Sequence, residues 1–286
     1  MSKIYDSFCF FNELDILELR LNILNDVVDK FIICESSVTH SGKQKKFYFE
    51  ENKDRYSKFL DKIIHVKVFD TPASFNYLQK IQNPNEDQKY INEIYDFISK
   101  TRAFDRTTQP HYGRDFYQKE CVRRGMSECK DDDIILFSDC DEIPNPEILQ
   151  YIKHIISNDK FYTLKQNMYY YFLNVLKENN WGGTRLGTYK YLKNYSYNEL
   201  RNQKNIELEN GGWHFSYMGG VELIKQKIEA YSAQEYNLDV VKNNLQENIN
   251  NFNDPLFRGK LQKVEIDDTY PKYILDNLDK YKAFIK

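Results

Sequence analysis

At 286 residues, with 40 Lys and Arg against 43 Asp and Glu and a formal charge of −3, the chain can bury a large core and is too evenly charged to carry a nucleic-acid footprint. It has no run of about 18 apolar residues, and its start lacks a basic stretch followed by an apolar one, so a soluble, cytoplasmic protein is expected. Five cysteines (Cys9, Cys34, Cys121, Cys129, Cys140), odd in number and without paired metal spacing, fit reduced thiols in structural roles.

In chain order, Ile4–Phe10 is predicted as the first strand and Glu13–Leu24 as a helix, with Leu14, Leu17, Leu21 and Leu24 on one stripe. Asp29–Glu35 is a second apolar run and Ile63–Phe69 a third. Strand, helix, strand in this order predicts parallel pairing and an α/β fold with a mostly parallel central sheet flanked by helices. The polar stretch Ser36–Gly42 reads as a loop above the sheet edge, where His40 is placed to touch a ligand or the solvent. Ala73–Pro110 contains helical stretches, notably Asn92–Lys100, and Arg114–Arg124 reads as a helix stopped by Gly125.

The segment Asp131–Pro146, DDDIILFSDCDEIPNP, is the most informative. An apolar block, Ile134–Phe137, suits a strand buried on both faces, and it ends in a cluster of acids followed by two prolines. Ligands in such sheets gather at the carboxyl ends of the strands. Asp139 and Asp141 lie where the chain leaves the strand, and hard carboxylates without a Cys/His cluster favour Mg²⁺ or Mn²⁺ over zinc. Glu35, ending the second strand, is expected at the same edge.

A helix over Glu147–Ile156, strands at Lys160–Leu173 and Thr184–Tyr191, and a flexible turn at Trp181–Gly183 are predicted next. Asn210–Gly220, NGGWHFSYMGG, frames His214 with two glycine pairs, which suits either close backbone approach to a ligand or a tight hairpin. Val221–Tyr231 and Tyr270–Ile285 are predicted helices.

With these landmarks in place, the chain resembles glycosyltransferase family 17. The matching phrases are YDSFCFFNELDILELRLN, VVDKFIICESSVTHSGKQKKFYF, DFYQKECVRRG, DDDIILFSDCDEIPNP and GGWHFSYMGGVELIKQKI, which span most of Tyr5–Tyr231. The resemblance implies a single GT-A-like domain, taken as residues 1–235 with a helical C-terminal extension, 236–286, packed on it. It further implies inverting transfer from a UDP-sugar, carrying N-acetylglucosamine, to a glycan hydroxyl, with Mn²⁺ or Mg²⁺ as cofactor. Asp139, Asp141 and His214 would be the metal site. Glu35 would meet the uracil or ribose, with Asn12, Glu13, Asp139, Arg185 and Lys227 the further donor-binding candidates. Eukaryotic members of the family are membrane-anchored, and this chain shows no anchor; a bacterial or viral surface glycan is therefore the expected acceptor, with peripheral membrane association compatible.

Inversion needs a base on the face opposite the leaving diphosphate. Glu222, at the start of the helix after the His214 segment, and Glu142, beside the acidic pair, are the candidates. Two other readings share parts of this pattern. A sugar-1-phosphate nucleotidyltransferase would want a glycine-rich phosphate loop after the first strand, and Phe11-Asn12-Glu13 offers none. A non-catalytic glycan-binding protein would use the Tyr and Trp side chains without a nucleotide.

Overall fold

The first four apolar runs form the parallel half of one mixed sheet in the computed structural model of the chain, which describes residues 2–286. Strands β1 (Ile4–Cys9), β2 (Lys30–Ser36), β3 (Ile63–Val68) and β4 (Ile134–Asp139) lie in the order β3-β2-β1-β4, all parallel. Beyond β4 the sheet continues through β7 (Val175–Thr188), β6 (Phe161–Tyr170), β8 (Ile206–Ser216) and β5 (Glu142–Pro144), and β9 (Gln262–Lys263) pairs with β7. Here β4–β7, β7–β6 and β8–β5 run antiparallel while β6–β8 is parallel.

The inner parallel strands β1, β2 and β4 are buried on both faces because helices cover both, while the edge strand β3 leaves Lys67 exposed. Helix α1 (Leu14–Leu24) packs Leu17 and Leu21 against the face carrying Ile4, Phe8 and Leu136. On the other face, α3 (Pro110–Cys121) sets Tyr117 and Cys121 against Tyr5, Ile32 and Phe137. A further helix, α2 (Glu86–Lys100), adds Ile94 and Ile98 to that second cluster. Burial of this kind is worth about 25 cal/mol per Å² of apolar surface removed from water. It selects the continuous apolar runs read from the sequence.

Helix α4 (Pro146–Ile155) starts where expected. Asn145 is its cap, accepting from the Glu147 N–H at 3.0 Å, with Pro146 in the first turn. Helix α5 (Gly220–Ala230) follows β8 through two glycines with positive φ, the cap Gly219 at 91° and the first helical residue Gly220 at 83°.

Three predicted features come out differently. Trp181–Gly183 is not a turn: it lies inside β7, paired with Lys165 and Gln166 through a register shift. A side chain at Gly183 would strike the Gln166 amide, so the glycine serves strand packing. Gly212, at φ 128°, approaches the backbone of β5 at Ile143. Its close approach is therefore to protein backbone.

The third difference is Tyr270–Ile285, which forms two single turns, Lys272–Leu275 and Leu278–Tyr281, and a 3₁₀ turn instead of one helix. Tertiary hydrogen bonds fix that path. The Leu173 N–H donates to Phe284 O at 2.7 Å, and Trp213 Nε1 donates to Thr269 O at 3.2 Å. Tyr270, Ile274 and Tyr281 join the α1-side core. Among the described residues no helix is long and apolar enough to cross a membrane.

Candidate active site

The end of β4 sets the site. Asp139 is in register with Cys9 of β1, and the chain then turns through Cys140 and Asp141 into β5, where Glu142 pairs with His214 of β8. The turn thus delivers Asp139 and Asp141 to one cleft of about 400 Å³, whose walls include Glu13, Asp115, Lys119, Trp181, His214 and Lys227. Cys140, between the two aspartates, is buried in the α1-side core, and burial pushes its thiol well up.

Both aspartates are held by cations. Asp139, with its side chain 38% exposed to the cleft, has Lys119 Nζ 3.7 Å from Oδ1 and Arg201 Nη1 3.4 Å from Oδ2. Burial alone would raise its pKa, but these two charges outweigh it and hold the carboxyl at about 2. Asp141 has Lys227 Nζ 2.7 Å from Oδ2 and His214 Nε2 3.3 Å from Oδ1. Burial opposes ionisation there too, and Lys227 and His214 still keep the carboxyl well below the usual range. The indole of Trp181 lies against the His214 ring, centroids 4.5 Å apart, and His214 Nδ1 is buried without a hydrogen-bond partner.

Of the residues singled out from sequence, Asp139, Asp141, His214, Lys227, Glu13 and His40 line this cleft. Glu13 Oε2 accepts from the Phe11 and Asn12 N–H groups, and its Oε1 is 3.7 Å from Lys227. Asn12 lies in a smaller adjoining cavity, where its side chain donates to Gln226 at 3.0 Å. Glu35 reaches the expected sheet edge but on the opposite face. Cys34 and Asp139 are both in register with Cys9, so the next residue after Cys34 points the other way. Its carboxylate is fully buried, accepts from the N–H groups of Tyr48 and Phe49, and pairs with Lys45 at 2.9 Å.

Arg185 also lies outside the cleft lining, with its guanidinium donating to the carbonyls of Gly182, Gly183 and Arg201. Burial, then the neighbouring Arg201 charge, pushes its pKa down to about 10. Glu142 is fully buried and pairs with Arg201 Nη2 at 2.7 Å. Glu222, on α5, is 80% exposed and paired with Lys225 at 3.3 Å.

Asp115 and Gln118 in the wall, and Arg201 beside it, escaped sequence reasoning. Asp115 and Gln118 sit at i and i+3 on α3, with Lys119 of the family-like phrase DFYQKEC at i+4 on the same face, and that spacing was the available signal. Asp115 pairs with Lys119 at 3.0 Å and accepts from Ser232 Oγ at 2.9 Å. Gln118 Oε1 lies 3.0 Å from His40 Nε2. Arg201, bridging Asp139 and Glu142, follows a single helical turn (Tyr197–Leu200) and had no sequence signal.

Among the described residues no three His, Cys, Asp or Glu side chains stand close enough to cage an ion. Two hard carboxylates at the floor of an open cleft instead fit a divalent cation whose remaining ligands come from substrate phosphate and water, the usual habit of Mg²⁺. The surrounding Lys119, Arg201 and Lys227 suit the same anionic substrate.

Comparison with known proteins adds to this geometry. A model of glycosyltransferase family 17 matches residues 1–285. The β-1,4-mannosyl-glycoprotein 4-β-N-acetylglucosaminyltransferases of Homo sapiens and Rattus norvegicus are each 25% identical over 142 residues, which is 50% of this chain and 22% of theirs. The chain thus spans about a fifth of the length of these curated relatives. Among solved structures, 4-diphosphocytidyl-2C-methyl-D-erythritol synthase is similar at a TM-score of 0.36 with 9% identity, covering 73% of this chain and 88% of that one.

Proposed function

The chain belongs to glycosyltransferase family 17, and on that premise we propose that it is a metal-dependent inverting glycosyltransferase that moves N-acetylglucosamine from a UDP-sugar to a glycan hydroxyl. The observation that carries this reading is the pair Asp139 and Asp141 lining one cleft, with Lys119 and Arg201 on the first carboxylate and Lys227 and His214 on the second. The donor sugar is inferred from the relatives, which are N-acetylglucosaminyltransferases.

In this reading Asp139 and Asp141, with His214 beside them, would hold Mn²⁺ or Mg²⁺, and the ion when bound would supply charge stabilisation for a diphosphate leaving group without proton transfer. The chain's own groups do the rest. Lys119, Arg201 and Lys227, which hold the two carboxylates, are the cations available to the diphosphate oxygens of the donor. Trp181, tilted by 43° against the His214 ring, gives one wall an apolar surface suited to pack against a sugar ring.

The test is release of UDP from a panel of UDP-sugars by the full chain, with and without Mn²⁺ or Mg²⁺, followed by acceptor screening with the donor that reacts. Metal-dependent hydrolysis of UDP-N-acetylglucosamine that drops at least about 100-fold in Asp141→Asn is expected. An Asp141→Asn protein that retains full activity with metal chelated, or release of pyrophosphate from UTP and a sugar phosphate, would overturn it.

A further inference from the structure

Arg20 is the largest side chain buried without solvent contact, and it stands in α1 among leucines and isoleucines, where a charge is costly unless every donor is used. Its Nε and Nη2 donate to the two oxygens of Asp6 at 2.8 and 2.6 Å, a bidentate pair with both side chains fully buried. Nη2 also donates to Ser138 Oγ at 2.6 Å. Nη1 donates to the main-chain carbonyls of Asp139, Cys140 and Glu142 at 3.0, 3.1 and 2.7 Å. The guanidinium plane lies over the Phe8 ring, 4.3 Å from its centroid. One side chain thus grips the main chain on both sides of Asp141, from behind the cleft, while touching neither the Asp139 nor the Asp141 carboxylate.

A turn whose carbonyls converge on one point needs a donor there, because buried carbonyls left without a partner are costly. Lysine has the charge but lacks the planar fork, so it cannot hold Asp6 in bidentate fashion and reach the turn carbonyls together. The residue is therefore matched to the shape of the turn. A hydrophobic pair in place of Arg20 and Asp6 would often be at least as stable as a buried ion pair.

We propose that Arg20, oriented by Asp6, is a positioning residue. It fixes the Asp139–Glu142 turn so that the two aspartate carboxylates face the cleft in one arrangement ready for a cation and a nucleoside diphosphate. The proposal rests on the metal-dependent reading of the cleft. Its effect is carried by backbone carbonyls, so the sequence neighbours of the aspartates do not reveal it.

The experiment uses the full chain in three forms: wild type, Arg20→Lys, and the double variant Asp6→Leu/Arg20→Met, which removes the buried pair together. Hydrogen exchange is followed at the amides of residues 139–143 without any ligand, and Mn²⁺ binding is followed by electron paramagnetic resonance in the presence of UDP. The expected results are exchange at 139–143 at least about tenfold faster than wild type with the remaining sheet amides unchanged, and Mn²⁺ affinity weakened about 10–100-fold. Exchange and Mn²⁺ affinity within twofold of wild type in a folded variant would overturn the proposal. So would faster exchange spread evenly over the whole sheet, or failure of both variants to fold, since either makes Arg20 a support of the fold alone. If wild type itself binds no Mn²⁺ with UDP, the metal reading falls, and the exchange arm decides by itself whether Arg20 fixes the turn.

Discussion

Glu142→Gln separates two roles that a carboxylate beside the acidic pair can have. The side chain is fully buried, Oε1 accepts from Arg201 Nη2 at 2.7 Å, and Oε2 is buried without a hydrogen-bond partner. Glutamine keeps the shape and one acceptor for Arg201 but removes the charge, and a hydrogen bond between charged groups is worth about 1.5–3 kcal/mol. Taking about 2 kcal/mol as the loss, the melting temperature should fall by roughly 4–8 °C for a chain of this size. Arg201 keeps its second partner, Asp139 Oδ2 at 3.4 Å, and so stays beside the cleft carboxylate. Steady-state UDP-sugar turnover should then fall by less than about tenfold, whereas removing a general base costs about 10²–10⁴-fold. The assay pairs thermal melts with turnover at saturating donor and Mn²⁺. A variant that melts with wild type yet loses more than about 100-fold in kcat would refute the reasoning and make Glu142 the base.

Glu222→Gln should leave both melting and turnover unchanged, within about 0.5 kcal/mol of stability, because the side chain is 80% exposed and outside the cleft; a large drop in kcat at constant KM would put it back in the reaction. Asp254 gives a pH-dependent outcome. It is fully buried, accepts from the Leu256 N–H at 2.8 Å, and pairs with Lys177 at 3.0 Å and Arg258 at 3.1 Å. Burial alone would raise its pKa from 3.8, but Arg258, the Leu256 N–H and Lys177 lower it. A depressed carboxyl contributes stability that is complete above the unfolded value and lost as pH falls through the folded one. Asp254→Asn should therefore be less stable than wild type at pH 7 by about 2 kcal/mol, a figure kept low because Arg258 is partly exposed, and the gap should shrink below about pH 4. Urea melts at pH 7 and pH 3 check this, and an equal gap at both would contradict it.

Much of the site was legible because the parallel half of the sheet writes itself in apolar runs. Ile4–Cys9, Lys30–Ser36 and Ile134–Asp139 are buried on both faces, and the edge strand Ile63–Val68 buries Val66 and Val68, so a strand was the natural reading of those runs. Ligands in such sheets gather at the carboxyl ends of the strands, and Asp139 and Asp141 lie there, lining the cleft. The antiparallel half was harder to read. The glycines at 182 and 183 carry turn propensity, yet β7 runs through them because neighbouring strands supply the hydrogen bonds and leave no room for side chains.

What the sequence determined by itself was the order of the parallel strands with the helices between them and the position of the acidic turn, both set by local hydrophobic pattern. Tertiary structure decided which charges meet. A single step of strand parity sends Glu35 to the face opposite Asp139. Arg201 and Lys227, 62 and 86 residues from the aspartates they hold, arrive only when α5 and the segment after Leu200 pack against the sheet. Arg20 and Asp6, 14 residues apart, look like a surface arginine and a strand acid in the linear chain. Folding buries both because their donors and acceptors match one another and the carbonyls of the turn, a complementarity no spacing encodes.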